Sequence, residues 1–168
     1  MLGKQMEDAL NEQVAQEAYS YFQYLAMASW LDFNGYPGSS LFLYSQAEEE
    51  KMHMEKLFKY INEAGGFAKA PAVNQPVLQF ESYVHVFDSI LENEKKITEK
   101  IHTLVDNAFT LKDFTTFNFL QWYVAEQLEE ENQFRTICDT IQMLVNNSES
   151  LYQLDKDLPA MRKLDKLE

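Results

Sequence analysis

The sequence predicts an all-α protein, built as a four-helix bundle with one long crossover and a short C-terminal fifth helix. Three observations support this fold class. Glycine and proline are scarce, with five and four copies in 168 residues, and they cluster in a few short stretches. Between these stretches, apolar residues recur at alternating spacings of three and four, which is typical of bundle helices. One connection is long enough to run the length of such helices.

The first two helices are predicted near residues 4–33 and 40–64. The stretch NGYPGSS between them forms a turn, in which Ser39 or Ser40 is the candidate N-cap of the second helix. The stretch EAGG, at 63–66, ends the second helix with glycine just beyond it. Because the turn is short, these two helices should be antiparallel.

The remaining long helices are predicted near 82–108 and 113–146, with a short fifth helix near 149–158. The stretch NAFTLKD separates the third helix from the fourth, and Asp113 is the candidate N-cap there. The stretch NNSES precedes the fifth helix. Pro159 should limit that helix, because proline lacks the N–H that continues the helical hydrogen bonds.

The connection between the second and third helices runs from about residue 66 to 81 and contains Pro71 and Pro76. Its roughly 15 residues span about 50 Å when extended, whereas a helix of about 25 residues is about 38 Å long. The connection can therefore follow the whole bundle and place the third helix parallel to the second. Residues 1–168 are expected to form one domain of this kind.

Composition narrows the classes of function. The net charge is −13, from 27 acidic and 14 basic residues, which argues against nucleic-acid binding and favours attraction of cations. No segment approaches the roughly 18 apolar residues of a membrane span, and the N-terminal stretch MLGKQMEDALNEQ resembles neither a signal peptide nor an anchor. Cys138 is the only cysteine, which excludes a disulfide within the chain and is typical of a buried apolar residue. These features predict a cytoplasmic protein in a reducing setting.

Each long helix has acidic or amide residues that interrupt its apolar seam. The interruptions are Glu17, Glu50 and Glu94 on the first three helices, with Gln127 and Glu130 on the fourth. At about 1.5 Å per residue, the four glutamates lie within roughly 15–25 Å of the same end of the bundle. Four inward carboxylates on four helices are therefore expected to meet in one layer.

Buried carboxylates without partners would each cost on the order of several kcal/mol, so this layer requires a counter-charge. No lysine or arginine takes a seam position at this level. His53 follows Glu50 by one helical turn, so both side chains can reach one ion. Two divalent cations would balance four carboxylates, with Glu50 as the bridging ligand. Oxygen ligands with one imidazole suit iron or manganese, and zinc could bind as well.

Three further glutamates flank the layer. Glu126 and Glu129 lie beside the seam of the fourth helix, and Glu49 lies about 100° from Glu50 around the second helix. They could surround a third, weaker cation site. A solvated acidic face would show the same spacing.

Tyr24 is the candidate catalytic side chain outside the ligand set. It follows Glu17 by two turns on the same helix face, where it could donate an electron or a hydrogen bond. A packed core tyrosine would occupy the same position. His85 and His102 have no carboxylates grouped around them and are expected at the surface or as satisfied polar residues.

In combination, four motifs resemble the ferritin family, and more closely the bacterial non-haem ferritins: LNEQVAQEAYSYFQYLAMASW, AEEEKMHMEK, TFNFLQWYVAEQLEEE and SLYQLDKDL. The resemblance covers nearly the whole chain and implies the ferritin-like bundle with its single crossover. It also implies a di-iron ferroxidase centre. Glu17, Glu50 and His53 would hold one iron and Glu50, Glu94 and Glu130 the second, with Gln127 close by.

The same resemblance implies a third iron site at Glu49, Glu126, Glu129 and Glu130, and a part in electron transfer for Tyr24. The activity it implies is oxidation of Fe²⁺ with O₂ or H₂O₂, followed by deposition of a ferric mineral. The mineral would be stored inside a hollow shell of 24 copies of the chain, with the fifth helix near the four-fold channels.

Two features differ from the haem-binding bacterioferritins. Their second Glu-x-x-His motif is replaced by Gln127-Leu-Glu-Glu130, and Lys51 stands where their haem methionine follows the bridging glutamate. Met52 lies one place later, which turns the side chain by about 100°, so no haem is expected. The alternatives are a bacterioferritin variant, a soluble di-iron carboxylate oxidase acting on an organic substrate, and a plain helical interaction module.

Overall fold

The computed structural model describes residues 2–165, with side chains described as far as Met161. Within this range there are no strands and five helices: α1 (Lys4–Phe33), α2 (Pro37–Glu63), α3 (Tyr83–Thr110), α4 (Phe114–Leu144) and α5 (Ser148–Asp165). Each of these helices is too short or too polar to span a membrane. The all-α class is confirmed, and the four long helices begin and end within about three residues of prediction. Asp113 is the N-cap of α4, as predicted.

Hydrogen bonds between helix ends define the course of the chain. At one end of the bundle, Ser39 Oγ and Tyr83 Oη lie 2.9 Å apart, so α2 and α3 begin side by side. At the other end, Tyr60 Oη and Thr116 Oγ1 lie 2.7 Å apart, so α4 begins where α2 ends. Helices α2 and α3 are therefore parallel, as the long connection predicted.

The crossover between α2 and α3 lies along α1 and is held there by two amide side chains of that helix. Asn11 accepts a hydrogen bond from the Lys69 N–H at 2.7 Å and donates one to the Phe67 carbonyl at 3.1 Å. Further along, the Gln23 amide pairs with both the N–H and the carbonyl of Val77. These bonds satisfy backbone groups that have no helical partner.

The apolar core forms two clusters, separated by a layer of buried polar side chains. The upper cluster, near the turn between α1 and α2, includes Tyr24, Phe87 and Phe134. The lower cluster, near the turn between α3 and α4, includes Leu10 and Tyr123. Apolar packing on both sides therefore holds the four helices in register across the polar layer.

Helix α2 begins at Pro37, three residues before the predicted start, and neither Ser39 nor Ser40 is its N-cap. The Asp155 carboxylate of α5 takes this part, accepting hydrogen bonds from the N–H groups of Gly38 (3.0 Å) and Ser39 (2.7 Å). A carboxylate at a helix N-terminus also interacts favourably with the helix dipole. The serine prediction was wrong because the capping group comes from a distant part of the chain.

Helix α5 continues through Pro159 to its end, so the prediction that this proline limits the helix was wrong. Proline removes the N–H that would bond the Asp155 carbonyl. That carbonyl packs against Gly38, where an added Cβ would lie only 1.8 Å from its oxygen. Leu154 and Leu158 are buried in the upper cluster, and this packing offsets the lost hydrogen bond.

Candidate metal centre

Four glutamates, one from each long helix, lie buried in the polar layer between the two clusters. These residues, called here the carboxylate layer, are Glu17 of α1, Glu50 of α2, Glu94 of α3 and Glu130 of α4, and none is more than 6% exposed. Each takes an inward position because apolar residues one turn away on its helix pack in the core. The charges of the other three glutamates all act on Glu50, so the layer is one electrostatic unit.

His53 joins two of these carboxylates. One ligand atom each from Glu17, Glu50 and His53 lie within 4.8 Å of one another, and all three side chains are buried. His53 Nδ1 is 3.9 Å from Glu50 Oε1, one turn away on α2. The structure therefore brings together the three residues that the sequence assigned to one cation.

Glu94 is held by two neutral donors, both predicted from the sequence as site residues. Tyr24 donates its hydroxyl to Glu94 Oε1 at 2.5 Å. Gln127 Nε2 donates to Glu94 Oε2 at 3.2 Å and also lies 3.3 Å from the Glu94 carbonyl oxygen. Tyr24 stacks on Phe134, with ring centroids 6.2 Å apart, which holds the phenol in place.

Two buried glutamines that were not predicted from the sequence donate hydrogen bonds to Glu17 and Glu130, two of the three other layer residues. Gln13 Nε2 donates to Glu17 Oε1 at 2.7 Å, and Gln46 Nε2 donates to Glu130 Oε2 at 2.9 Å. Gln13 precedes Glu17 by four residues, and Gln46 precedes Glu50 by four. A polar residue one helical turn before an inward glutamate is the signal that could have found them.

The described side chains give the layer hydrogen-bond donors but no lysine or arginine in direct contact, and the Lys100 charge acts only on Glu17. Within residues 2–161, no lysine or arginine forms a salt bridge with any of its four glutamates. Glu50 Oε2 is buried and has no hydrogen-bond partner. An unpartnered carboxylate oxygen among four acidic groups is the environment that a bound cation satisfies.

Burial changes the protonation of the layer. It raises the pKa of all four glutamates above their ordinary value, and neighbouring carboxylates add to the rise for Glu50, Glu94 and Glu130. The pKa of Glu94 reaches about 7. Burial also lowers the pKa of His53 to about 4, so its imidazole is neutral at pH 7 and has a lone pair for a metal ion. Without metal the layer therefore binds protons, which arriving cations would displace.

Aromatic side chains enclose His53. Its ring makes edge contacts with Trp122 and Tyr123, at centroid distances of 5.4 and 6.1 Å. The Tyr123 hydroxyl also donates to the His53 carbonyl at 2.8 Å. These contacts restrict the orientation of the imidazole, as ligand positioning requires.

The three outer glutamates are more accessible than the layer. Glu49 and Glu126 are half-buried, and Glu129 is exposed. The charges of Glu126 and Glu129 both raise the pKa of Glu130, so these two residues lie within electrostatic reach of the layer. Solvent screens the charges of these more accessible carboxylates more than those of the buried layer.

The other side chains considered from the sequence lie away from the layer. His85 and His102 are exposed on α3, and His85 Nδ1 accepts a hydrogen bond from the Glu81 N–H at 3.2 Å. Met52 is 55% exposed. Cys138 is buried in the upper cluster, as predicted.

Comparisons with known proteins agree with this arrangement. A family model described as a ferritin-like domain matches residues 7–144. A probable bacterial non-heme ferritin-like protein of Haemophilus influenzae is 43% identical over 158 residues, covering 94% of this chain and 96% of that protein. A bacterial non-heme ferritin of Campylobacter jejuni is 43% identical over 156 residues, covering 93% of each. An open-pore ferritin from Archaeoglobus fulgidus has a TM-score of 0.93 at 40% identity, covering 95% of this chain and 98% of that one.

Proposed function

This chain belongs to the ferritin family of iron-storage proteins, and we propose that it oxidises Fe²⁺ at the carboxylate layer and stores the Fe³⁺ as a mineral inside a shell of its own copies. One observation carries the proposal. The buried layer has four carboxylates and an unpartnered oxygen on Glu50, but no salt bridge from a lysine or arginine among the described side chains. Two divalent cations would supply the missing charge.

Iron is the substrate in this proposal, and each chain holds two ions during oxidation. Glu17, Glu50 and His53 hold one ion, and Glu50, Glu94 and Glu130 hold the second. The bridging role is assigned to Glu50 because the charges of the other three glutamates all act on it and because its Oε2 has no hydrogen-bond partner. Gln127 orients Glu94 through its hydrogen bonds. Oxygen-rich ligation stabilises Fe³⁺ over Fe²⁺ and so favours the loss of an electron.

The electrons pass to O₂ or H₂O₂. Two Fe²⁺ ions give up two electrons, which with two protons reduce O₂ to H₂O₂ or H₂O₂ to two waters. The layer itself holds protons before the cations enter, because burial raises the pKa of its carboxyl groups. Neutral His53 needs no deprotonation to bind the first ion. Aromatic side chains around the layer limit access by bulk water.

Tyr24 is proposed as the catalytic side chain that supplies an electron or a hydrogen bond to the centre. Its hydroxyl stays protonated because burial raises its pKa well above the ordinary value, and it contacts Glu94 directly. Tyr24→Phe keeps the ring stacking and removes only this hydroxyl. We expect Fe²⁺ oxidation to slow by roughly tenfold or more, as for other groups that orient metal ligands. Stopped-flow absorbance measures the rate.

The control for this substitution is Tyr21→Phe, which removes a hydroxyl from a half-buried tyrosine of the same helix. Its oxidation rate should stay within about twofold of wild type. Equal rates for Tyr24→Phe and wild type would remove Tyr24 from the mechanism. Electron paramagnetic resonance on freeze-quenched samples distinguishes electron donation by Tyr24 from hydrogen bonding, because only electron donation produces a tyrosyl radical.

Glu49, Glu126 and Glu129, with Glu130, are proposed as a third iron site between the layer and solvent. Their greater exposure and the electrostatic reach of Glu126 and Glu129 to Glu130 support this position. A titration of metal-free protein with Co²⁺ should then saturate at three ions per chain. Saturation at two would mean that these residues form only a solvated acidic face.

The assembly is proposed to be a cytoplasmic shell of 24 identical subunits without haem, nucleic acid or membrane partners. The similarity to an open-pore ferritin from Archaeoglobus fulgidus supports a multimeric shell. Light scattering should give a particle mass of about 24 times the 19.7 kDa of one chain.

The experiment that tests storage is stepwise aerobic loading with Fe²⁺, followed by gel filtration and measurement of the soluble iron retained per chain. Retention far above two or three ions, in a large particle, supports mineral storage. A plateau at about two would keep the oxidising centre but favour a di-iron oxidase acting on another substrate. Retention of no iron would leave a helical interaction module.

A further inference from the structure

Gln46 combines two properties that distinguish it from the other amides around the carboxylate layer. It is fully buried, and its amide nitrogen bonds Glu130 Oε2 at 2.9 Å. Its carbonyl oxygen is nevertheless without a partner. Within residues 2–161, Gln46 Oε1 and Glu50 Oε2 are the only buried side-chain nitrogen or oxygen atoms without a hydrogen-bond partner. Because the two residues are four apart on α2, both open oxygens belong to one helix face.

The charge of Glu130 explains why the Gln46 amide keeps this orientation. A half-turn of the amide would place its oxygen against a carboxylate oxygen and replace an attraction by a repulsion. Once a cation has displaced the proton of Glu130, the ionised carboxylate therefore holds the N–H₂ group toward itself and leaves the Gln46 carbonyl oxygen open. A buried open acceptor indicates a partner that arrives from outside the protein.

Glu130 lies where two groups of carboxylates meet. Glu94 of the layer and the outer residues Glu126 and Glu129 all act on its charge. Gln46 bonds only one of the two oxygens of Glu130. This hydrogen bond therefore limits how the Glu130 carboxylate can rotate between Glu94 and the outer glutamates.

We propose that Gln46 is a positioning residue, which holds Glu130 toward the second cation of the layer and restricts its rotation toward the outer glutamates. The open carbonyl oxygen of Gln46 accepts a hydrogen bond from water that enters with that cation. The inference rests on the proposed function, since it requires cations in the layer.

The test is a titration of the metal-free, assembled protein with Co²⁺, followed by visible absorption, which reports both stoichiometry and coordination. Gln46→Met keeps the length of the side chain and removes both polar atoms. Gln46→Asn keeps an amide that is one methylene too short to reach Glu130. In both variants the affinity of the second Co²⁺ should fall about tenfold or more, with a changed absorption band, because orienting contacts have effects of this size. The first Co²⁺ should bind within about twofold of wild type.

Two ligand variants show which binding step belongs to which Co²⁺ position. His53→Ala removes a ligand of the first cation only, and Glu94→Ala removes a ligand of the second only. The control is Gln121→Met, at an exposed glutamine whose amide bonds the Phe117 carbonyl of its own helix. It should leave both affinities unchanged.

A general loss of packing would lower the affinity for both cations alike. Either this result or an unchanged affinity for the second cation would overturn the inference. If Gln46→Met fails to assemble, Gln46→Asn decides between the same outcomes. If wild-type protein binds no Co²⁺ in the layer, the proposed function itself fails. Normal binding by the wild type with equal binding by the variants rejects only the part assigned to Gln46.

Discussion

His53→Ala is expected to slow Fe²⁺ oxidation by more than about a hundredfold while leaving the helical content nearly unchanged. His53 is the only nitrogen ligand offered to the layer by the described side chains, and it lies within 4.8 Å of its partner carboxylates. Loss of an orienting contact behind a metal ligand already costs roughly 10- to 100-fold, so loss of the ligand should cost more. Stopped-flow absorbance gives the rate and far-ultraviolet circular dichroism gives the helical content.

The fold should survive this change because the apolar clusters on both sides of the layer do not depend on the imidazole. His102→Ala is the matched control, since that histidine is exposed on α3. Its rate should equal that of wild type. A wild-type rate for His53→Ala would mean that oxidation does not occur at this layer.

Glu50→Gln is expected to stabilise the metal-free protein at pH 7, by at most about 3.4 kcal/mol, and to have little effect near pH 4.5. Burial, with repulsion from the other carboxylates, raises the folded-state pKa of Glu50 well above its unfolded value of 4.5. Between these two pKa values, Glu50 is therefore protonated in the folded state and ionised in the unfolded state. Stability is greatest below pH 4.5 and falls by about 1.4 kcal/mol per pH unit until the folded-state pKa is passed. Because glutamine cannot ionise, the variant does not lose this stability as the pH rises.

The same substitution should abolish most of the stabilisation that divalent cations give, because it removes the bridging charge. Thermal unfolding in chelator and in Co²⁺, between pH 4.5 and 8 at one subunit concentration, measures both effects. Glu12→Gln, at an exposed residue of α1, should change stability by less than about 0.5 kcal/mol at either pH. A metal-free Glu50→Gln protein less stable than wild type at pH 7 would contradict the raised pKa.

The layer shows which parts of a site follow from local patterns. Glu17, Glu50, Glu94 and Glu130 were predicted because each breaks an apolar seam of period 3.5, and the helical rise places them at one level. His53 followed from its spacing to Glu50. Gln13 and Gln46 were not predicted. A glutamine beside a seam is as common at a surface as in a core, so only the packed structure distinguishes the two.

The ends of α2 and α5 also separate what local sequence predicts from what only the tertiary structure shows. The sequence predicted where each helix lies, but Ser39 and Ser40 were assigned a capping part that Asp155 takes instead. Capping by a neighbouring helix depends on how two elements dock, which has no local signal. Pro159 was predicted to limit α5 because its local cost is known, whereas the burial of Leu158 that offsets this cost is a tertiary property.

The sequence by itself determined the helices, the crossover topology and the set of inward carboxylates, because helical periodicity and chain length are properties of neighbouring residues. Tertiary structure alone decided which oxygens are paired and which remain open, since that depends on side chains from different helices. It decided that Tyr24 and Gln127 both bond Glu94 and that Gln46 bonds Glu130. It also left Glu50 Oε2 unpartnered. Hydrogen bonds need atoms within about 3 Å, a precision that residue spacing cannot supply.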